Sequence, residues 1–86
     1  MSDVAGKMIG ALGGRENISE LDACITRLRV VVRDPRLISD KELKALGAIG
    51  VMKVGQAIQV ILGTQADRIE GEMRALLHLT PAALRS

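Results

Sequence analysis

The 86-residue chain has no phenylalanine, tyrosine or tryptophan, so aliphatic side chains must supply its whole core. The same absence removes the stacking platforms on which most readers of RNA and single strands depend. A single cysteine, Cys24, excludes an internal disulfide, a cysteine pair for metal and a CxxC redox motif. A reducing cytoplasm is the compartment that fits. No apolar run approaches eighteen residues, which excludes a transmembrane helix in this sequence; any membrane role is expected to pass through a partner, without direct insertion. The first fourteen residues include an acidic group and lack a basic leader ahead of an apolar stretch, so they do not read as a signal peptide. Neither sign of charge dominates. Twelve Lys and Arg against ten Asp and Glu, evenly scattered, give a net charge of +2 and no nucleic-acid footprint.

What is present describes one small folded unit. Apolar residues make up 48% and charged residues 26%, a globular mixture. We expect a single domain over residues 1–80 and a loose tail over 81–86, with Pro81 limiting the last helix. Val4, Met8 and Leu12 recur at i, i+4 and i+8 with Ile9 beside them, which predicts a short amphipathic helix capped by Ser2 or Asp3 and stopped at Gly13 and Gly14. Residues 17–24 and 25–32 read as two strands joined by a tight turn near Cys24, the second strongly β-biased by its three valines. Ser39 and Glu42 form a capping-box pattern, flanked by a staple of Ile38 and Leu43, for a short helix ending at Gly47. Strands follow at 51–54 and 57–62, with Gly55 and Gln56 suited to a type II′ turn. Thr64 is the expected cap of a last helix whose stripe is Ile69, Met73, Leu76 and Leu77, with Glu70 and Arg74 able to pair at i+4.

The order is therefore α-β-β-α-β-β-α, an α+β fold. Two hairpins imply a four-stranded antiparallel sheet, and three singly striped helices are buried most simply by stacking all three on one face of it. Period-two geometry places Thr26, Leu28, Val30 and Val32 against the helices and Ile25, Arg27, Arg29 and Val31 on the bare face. Gln59 joins the bare face if the hairpins align in phase.

The segment LDACITRLR around Cys24 has a chemistry of its own. A thiol acts as a nucleophile in its thiolate form, which nearby cations favour, and Arg27 and Arg29 stand three and five residues further on. Arginine forks suit phosphate oxygens, and a turn aiming the amides of Ile25, Thr26 and Arg27 inward would form an anion nest. Asp22, two residues before the thiol, opposes both thiolate and phosphate unless it is turned away or paired with an arginine. A cysteine-dependent phosphatase loop would need arginine six positions after the cysteine, where Val30 stands. A papain-like dyad would need a histidine, and the only one, His78, ends the last helix, where its ordinary role is to face the helix C-terminus. Neither hydrolase fits.

The strings NISELDACITRLRVVV, LKALGAIGV and IQVILGTQADRIEGEM resemble the EIIB domain of the glucose and N-acetylglucosamine family of the bacterial sugar phosphotransferase system, along nearly the whole chain. That resemblance implies a phosphotransferase component in which Cys24 accepts a phosphoryl group from a phosphohistidine of an EIIA partner. Cys24 then passes it to a sugar bound in the membrane permease EIIC. It further implies that the amides of Ile25, Thr26 and Arg27, the side chains of Arg27 and Arg29, and Gln59 as a phosphate neighbour support the transfer. No metal or organic cofactor is called for. The family fold, a four-stranded antiparallel sheet with three helices on one side, agrees with the pattern read above. Two other readings use the same residues: a non-catalytic module that binds an anion or a protein on this fold, and a redox-sensing thiol at Cys24.

Overall fold

A computed structural model describes residues 4–78, the side chain of His78 excepted. The expected caps Ser2 and Asp3, the limit at Pro81, the tail 81–86 and the placing of the His78 ring lie outside the described residues. Helix α1 spans Val4–Ala11, β1 Ile18–Cys24, β2 Arg27–Val32, α2 Asp40–Ala45, β3 Gly50–Val54, β4 Ala57–Ile61 and α3 Ala66–His78. The four strands form one sheet in the order β1-β2-β4-β3, antiparallel throughout, with three helices packed on it. The fold is the α+β sandwich expected from the sequence.

The phase of β2 decides which face is covered. Leu28, Val30 and Val32 are fully buried, as are Ile58 and Val60 of β4. They share one core with Met8 and Leu12 from the α1 region, Leu43 of α2, and Ile69 and Met73 of α3. Helices that all contribute to the same core must lie on the same side of the sheet, so the opposite side is bare. Leu76, expected in the α3 stripe, is exposed, which leaves Ile69 and Met73 as its buried centre.

Local chemistry fixes the ends of the elements. The Gly14 amide donates to the Ile9 carbonyl and the Gly13 amide to Gly10, so the stop expected at this glycine pair is made by backbone bonds. Ser39 Oγ accepts from the Glu42 amide at 3.2 Å, but only half of the expected capping box forms, because the Ser39 amide is already given to the Ala11 carbonyl. That bond ties the start of α2 to the end of α1. Ser39→Ala should lower stability by about 1 kcal/mol, read as a shift of the urea midpoint with an unchanged slope. Gly55 has φ 60° and Gln56 a negative φ, as a type II′ turn requires.

Three expectations change. The first turn takes Ile25 and Thr26 out of β2, so Thr26 is not a core-face residue. Strand β4 ends at Ile61, one residue early, although Leu62 remains buried. Thr64 does not cap α3: it lies inside a 3₁₀ turn over Gly63–Gln65, and the helix begins at Ala66. The cause is long-range. The Thr26 carbonyl accepts from the amides of both Leu62 and Gly63, which fastens the end of β4 to the Cys24 turn and delays the helix. Arg74 pairs with Glu70 as the i+4 spacing suggested, and its Nη2 also donates to the Leu21 carbonyl at 2.7 Å, which joins α3 to β1.

Candidate functional site

The registers lay out the bare face in rows. Cys24 stands opposite Arg27, Arg27 opposite Ile61 and Ile61 opposite Gly50. In the next row Asp22 stands opposite Arg29, Arg29 opposite Gln59 and Gln59 opposite Met52. Residues from three different strands are thereby drawn to one end of the sheet. A cavity of about 370 Å³ at that end is lined by Cys24, Ile25, Thr26, Arg27, Arg29 and Gln59. It contains every residue singled out from the sequence for anion or phosphoryl chemistry except Asp22. Thr26, placed against the core by simple alternation, is in fact part of it.

Within the cavity the two arginines differ. Arg27 Nη1 donates to Gln59 Oε1 at 3.0 Å, so one guanidinium is held by a side chain two residues away from its direct cross-strand partner. The Arg29 side chain makes no hydrogen bond or ion pair among the described residues, and its five donors remain available. Cys24 is free and exposed. The amides of Ile25 and Thr26 find no acceptor among the described residues, while the Thr26 carbonyl is doubly used by Leu62 and Gly63. Unsatisfied donors and guanidinium groups around a thiol form a receptor for negative charge.

Asp22 is turned to its own backbone. Its Oδ1 accepts from the Ala23 amide at 2.8 Å, and the residue lines a separate cavity of about 210 Å³ with Glu20, Leu21, Arg29, Val31 and Ala57. Arg29 thus borders both spaces. Sequence reasoning did not find the Arg27–Gln59 hydrogen bond or the backbone of Ile25, whose φ is 54°. The first depends on a diagonal approach across strands, and the second has no compositional signal, since isoleucine is among the residues least expected at positive φ. Among the described residues no group of three His, Cys, Asp or Glu converges to hold a metal ion, and no helix is long and apolar enough to cross a membrane.

An open-faced α+β sandwich that presents one thiol among guanidinium groups on its bare side is the class of domain that fold and site define. Comparison with known proteins makes the assignment particular. The family model for the EIIB of the phosphotransferase system matches residues 6–38. The chain is 49% identical over 77 residues to the N-acetylglucosamine-specific EIIB component of Streptomyces coelicolor, covering 90% of this chain and all of that protein. It is 45% identical over 74 residues to the glucosamine-specific EIICBA component of Bacillus subtilis, and 46% over 76 residues to the glucose-specific EIICBA component of Staphylococcus carnosus. It spans 86% and 88% of itself there, but only 12% and 11% of those longer proteins. A solved domain of a phosphotransferase-system IIabc component from Clostridium difficile superposes with a TM-score of 0.71 at 31% identity, covering 85% of this chain and 77% of that one. The chain belongs to the EIIB family of the phosphotransferase system, and is a phosphotransferase component.

Proposed function

We propose that Cys24 is the phosphoryl-carrying residue of this domain. The thiolate attacks phosphorus of a phosphohistidine on an EIIA partner, so that a P–S bond forms as the P–N bond breaks and the imidazole leaves. In the second step a hydroxyl of a sugar bound to the permease EIIC attacks phosphorus, the P–S bond breaks and the thiolate is returned, the hydroxyl proton passing to solvent. Glucose or N-acetylglucosamine-type sugars are the substrates suggested by the names of the relatives. The domain would work in the cytoplasm at the inner face of the membrane, brought there by EIIC. The EIICBA relatives, which combine all three components in one chain, support that partnership.

The observation that carries this reading is the gathering of Cys24, Ile25, Thr26, Arg27, Arg29 and Gln59 around one cavity on the bare face. The transferring phosphoryl group carries its charge on three equatorial oxygens, so catalysis requires positioning and fixed positive charge. Arg27, steadied by Gln59, supplies an oriented donor, and Arg29 is free to follow the group as it moves. The unpaired amides of Ile25 and Thr26 add donors from the turn, whereas Arg27, expected to add a third, lies in the β1–β2 ladder opposite Cys24 and contributes its side chain. One thiol serves both transfers, so donor and permease use the same face in turn, and a stable ternary complex is excluded.

The test is direct. The domain is incubated with phosphoenolpyruvate, the general phosphotransferase proteins and a set of EIIA proteins. Intact mass is expected to rise by one phosphoryl group, and peptide mapping to assign it to Cys24. No added mass with any EIIA would instead favour a non-catalytic anion- or protein-binding module, and mapping to another residue would overturn the site. A variant sharpens the role of the unpaired cation. Arg29→Lys should slow onward transfer from Cys24 by about tenfold or more, roughly 1.4 kcal/mol in the barrier, because a point charge does not reproduce a bidentate fork. Folding should be unaffected, since Arg29 holds nothing together; an unchanged single-turnover rate would remove it from the mechanism.

A further inference from the structure

The chain leaving β4 keeps hold of the Cys24 turn beyond the end of the sheet. The β2–β4 ladder closes with Arg27 opposite Ile61, and one step further the Leu62 amide donates to the Thr26 carbonyl at 2.9 Å. A ladder calls for that bond and no more. The Gly63 amide nevertheless donates to the same oxygen at 3.0 Å, because Leu62, at φ −116° and ψ −5°, leaves the extended region and turns two successive amides to one side. The chain must then depart for α3, and it does so through a φ of 75° at Gly63. A Cβ there would meet nothing within 4 Å beyond its chain neighbours, so glycine is not needed for space. It is needed for the angle, which lets the chain enter the 3₁₀ turn while its amide stays on Thr26.

We infer that Gly63 is a positioning residue for phosphoryl transfer, acting through the Thr26 carbonyl on Arg27. The inference rests on the carrier function proposed above and deepens it. A peptide group is a rigid plane, so an oxygen gripped by two donors orients the whole Thr26–Arg27 peptide and, with it, the root of the Arg27 side chain. Gln59 holds the other end of that side chain at Nη1. Arg27, directly opposite Cys24, is therefore held at both ends by β4 and the segment that follows it. A donor fixed in this way needs no reorganisation at the moment of transfer. With alanine at position 63 the angle becomes costly and one side must yield. Helix α3 is anchored in the core by Ala66 and Ile69, so the peptide ahead of residue 63 is the softer side and its amide tilts off Thr26. The loss is then felt at Arg27.

The test compares the wild-type domain with Gly63→Ala, Gly63→Asn and Gly55→Ala. Gly55, at φ 60° and likewise with room for a Cβ, sits in the β3–β4 turn at the far end of the sheet from Cys24. The donor is a phosphorylated EIIA protein that charges the wild-type domain, and single-turnover transfer is followed by mass at increasing donor concentration. Gly63→Ala is expected to lower the maximal rate about tenfold or more and to leave KM for the donor within about threefold of wild type, since a displaced Arg27 weakens the transition state and not the encounter. Asparagine accepts positive φ far more readily than alanine, so Gly63→Asn should recover the rate to within about threefold of wild type. Gly55→Ala should stay within about twofold, although both alanine variants should melt about 4–8 °C below wild type. Without any donor present, the Arg27 Nε–Hε resonance in NMR spectra should move in Gly63→Ala and stay in place in Gly55→Ala. An unmoved resonance, a maximal rate unchanged in Gly63→Ala, or equal slowing by Gly55→Ala overturns the positioning role and leaves the carrier reading intact. Equal slowing by Gly63→Asn, or an unchanged melting temperature in Gly63→Ala, overturns the argument from the backbone angle. If the wild-type domain takes no phosphoryl group from any EIIA, the carrier reading itself fails and the role of Gly63 in transfer with it.

Discussion

Cys24→Ser is expected to abolish both acceptance of a phosphoryl group and phosphorylation of sugar in the complete system, without loss of the fold. The thiol is free and exposed, so its replacement by a hydroxyl removes no packing and should change stability by less than about 0.5 kcal/mol. The chemical change is much larger. A serine hydroxyl attacks phosphorus only when a base takes its proton, and the cavity holds two arginines and a glutamine but no carboxylate or histidine among the described residues. A serine that did become phosphorylated would also be a poor carrier, since an alkoxide leaves far less readily than a thiolate and the phosphate ester would be a dead end. Mass spectrometry and a sugar-phosphorylation assay on the same preparation check both halves, alongside a thermal melt. Residual transfer through the introduced hydroxyl, or transfer at the wild-type rate, would contradict the assignment of the thiol.

The site was more legible in the sequence than several parts of the fold, for a physical reason. Cys24, Ile25, Thr26, Arg27 and Arg29 all fall within one short segment, and a strand with period two is enough to tell that both arginines face the same way. Gln59 required one further step, the phase of the second hairpin, and that phase follows from Ile58 and Val60 needing the same core as Leu28 and Val30. Burial of one sheet face fixes register strongly, because a slip of one residue would turn every aliphatic outward. The Arg27–Gln59 bond lay beyond this reasoning, since alternation gives the face of a residue and not the rotamer that lets it reach a diagonal neighbour.

The misreadings share a cause. Thr64 has the chemistry of a helix cap, yet the Thr26 carbonyl, far earlier in the chain, takes the Leu62 and Gly63 amides and shapes the segment before the helix can begin. Ser39 likewise forms half of its box because Ala11 claims its amide. Local patterns state what a segment favours by itself, and they fail where a distant carbonyl offers a better partner. Asn17 is the largest case. Its surroundings, GRENIS, mark it as no more than the first residue of the strand expected over 17–24, yet it ends a 3₁₀ turn ahead of β1, is 4% exposed and joins three parts of the chain.

Replacing Asn17 with alanine is expected to cost about 3–4 kcal/mol, a large part of the total stability of a domain of this size. Its Nδ2 donates to the Leu12 carbonyl at 2.8 Å and to the Asp34 carbonyl at 3.1 Å, and its Oδ1 accepts from the Asp34 amide at 2.8 Å. One buried side-chain amide therefore bonds three backbone groups at the end of α1 and just past β2. Alanine would leave the Leu12 carbonyl and the Asp34 amide without these partners and the Asp34 carbonyl with the Leu37 amide alone, each lost bond costing on the order of 1–3 kcal/mol before relaxation. Asn17→Asp should be no better, because a carboxylate would face the Leu12 and Asp34 carbonyls that now receive its hydrogens. Gly13 supplies an independent check. A Cβ at that position would stand 2.5 Å from Asn17 Nδ2 and 2.9 Å from the Leu37 Cβ, on a backbone at φ 98° that already disfavours side chains. Gly13→Ala is thus destabilising in part by pushing the Asn17 amide off its carbonyls, and once that amide is gone the same Cβ meets less resistance. The double variant should then lose less than the sum of the two single losses, by about 1 kcal/mol in denaturant unfolding. Strict additivity would mean that Gly13 is required for its backbone angle and the Leu37 contact alone, and that the asparagine holds the junction without help from the space left beside it.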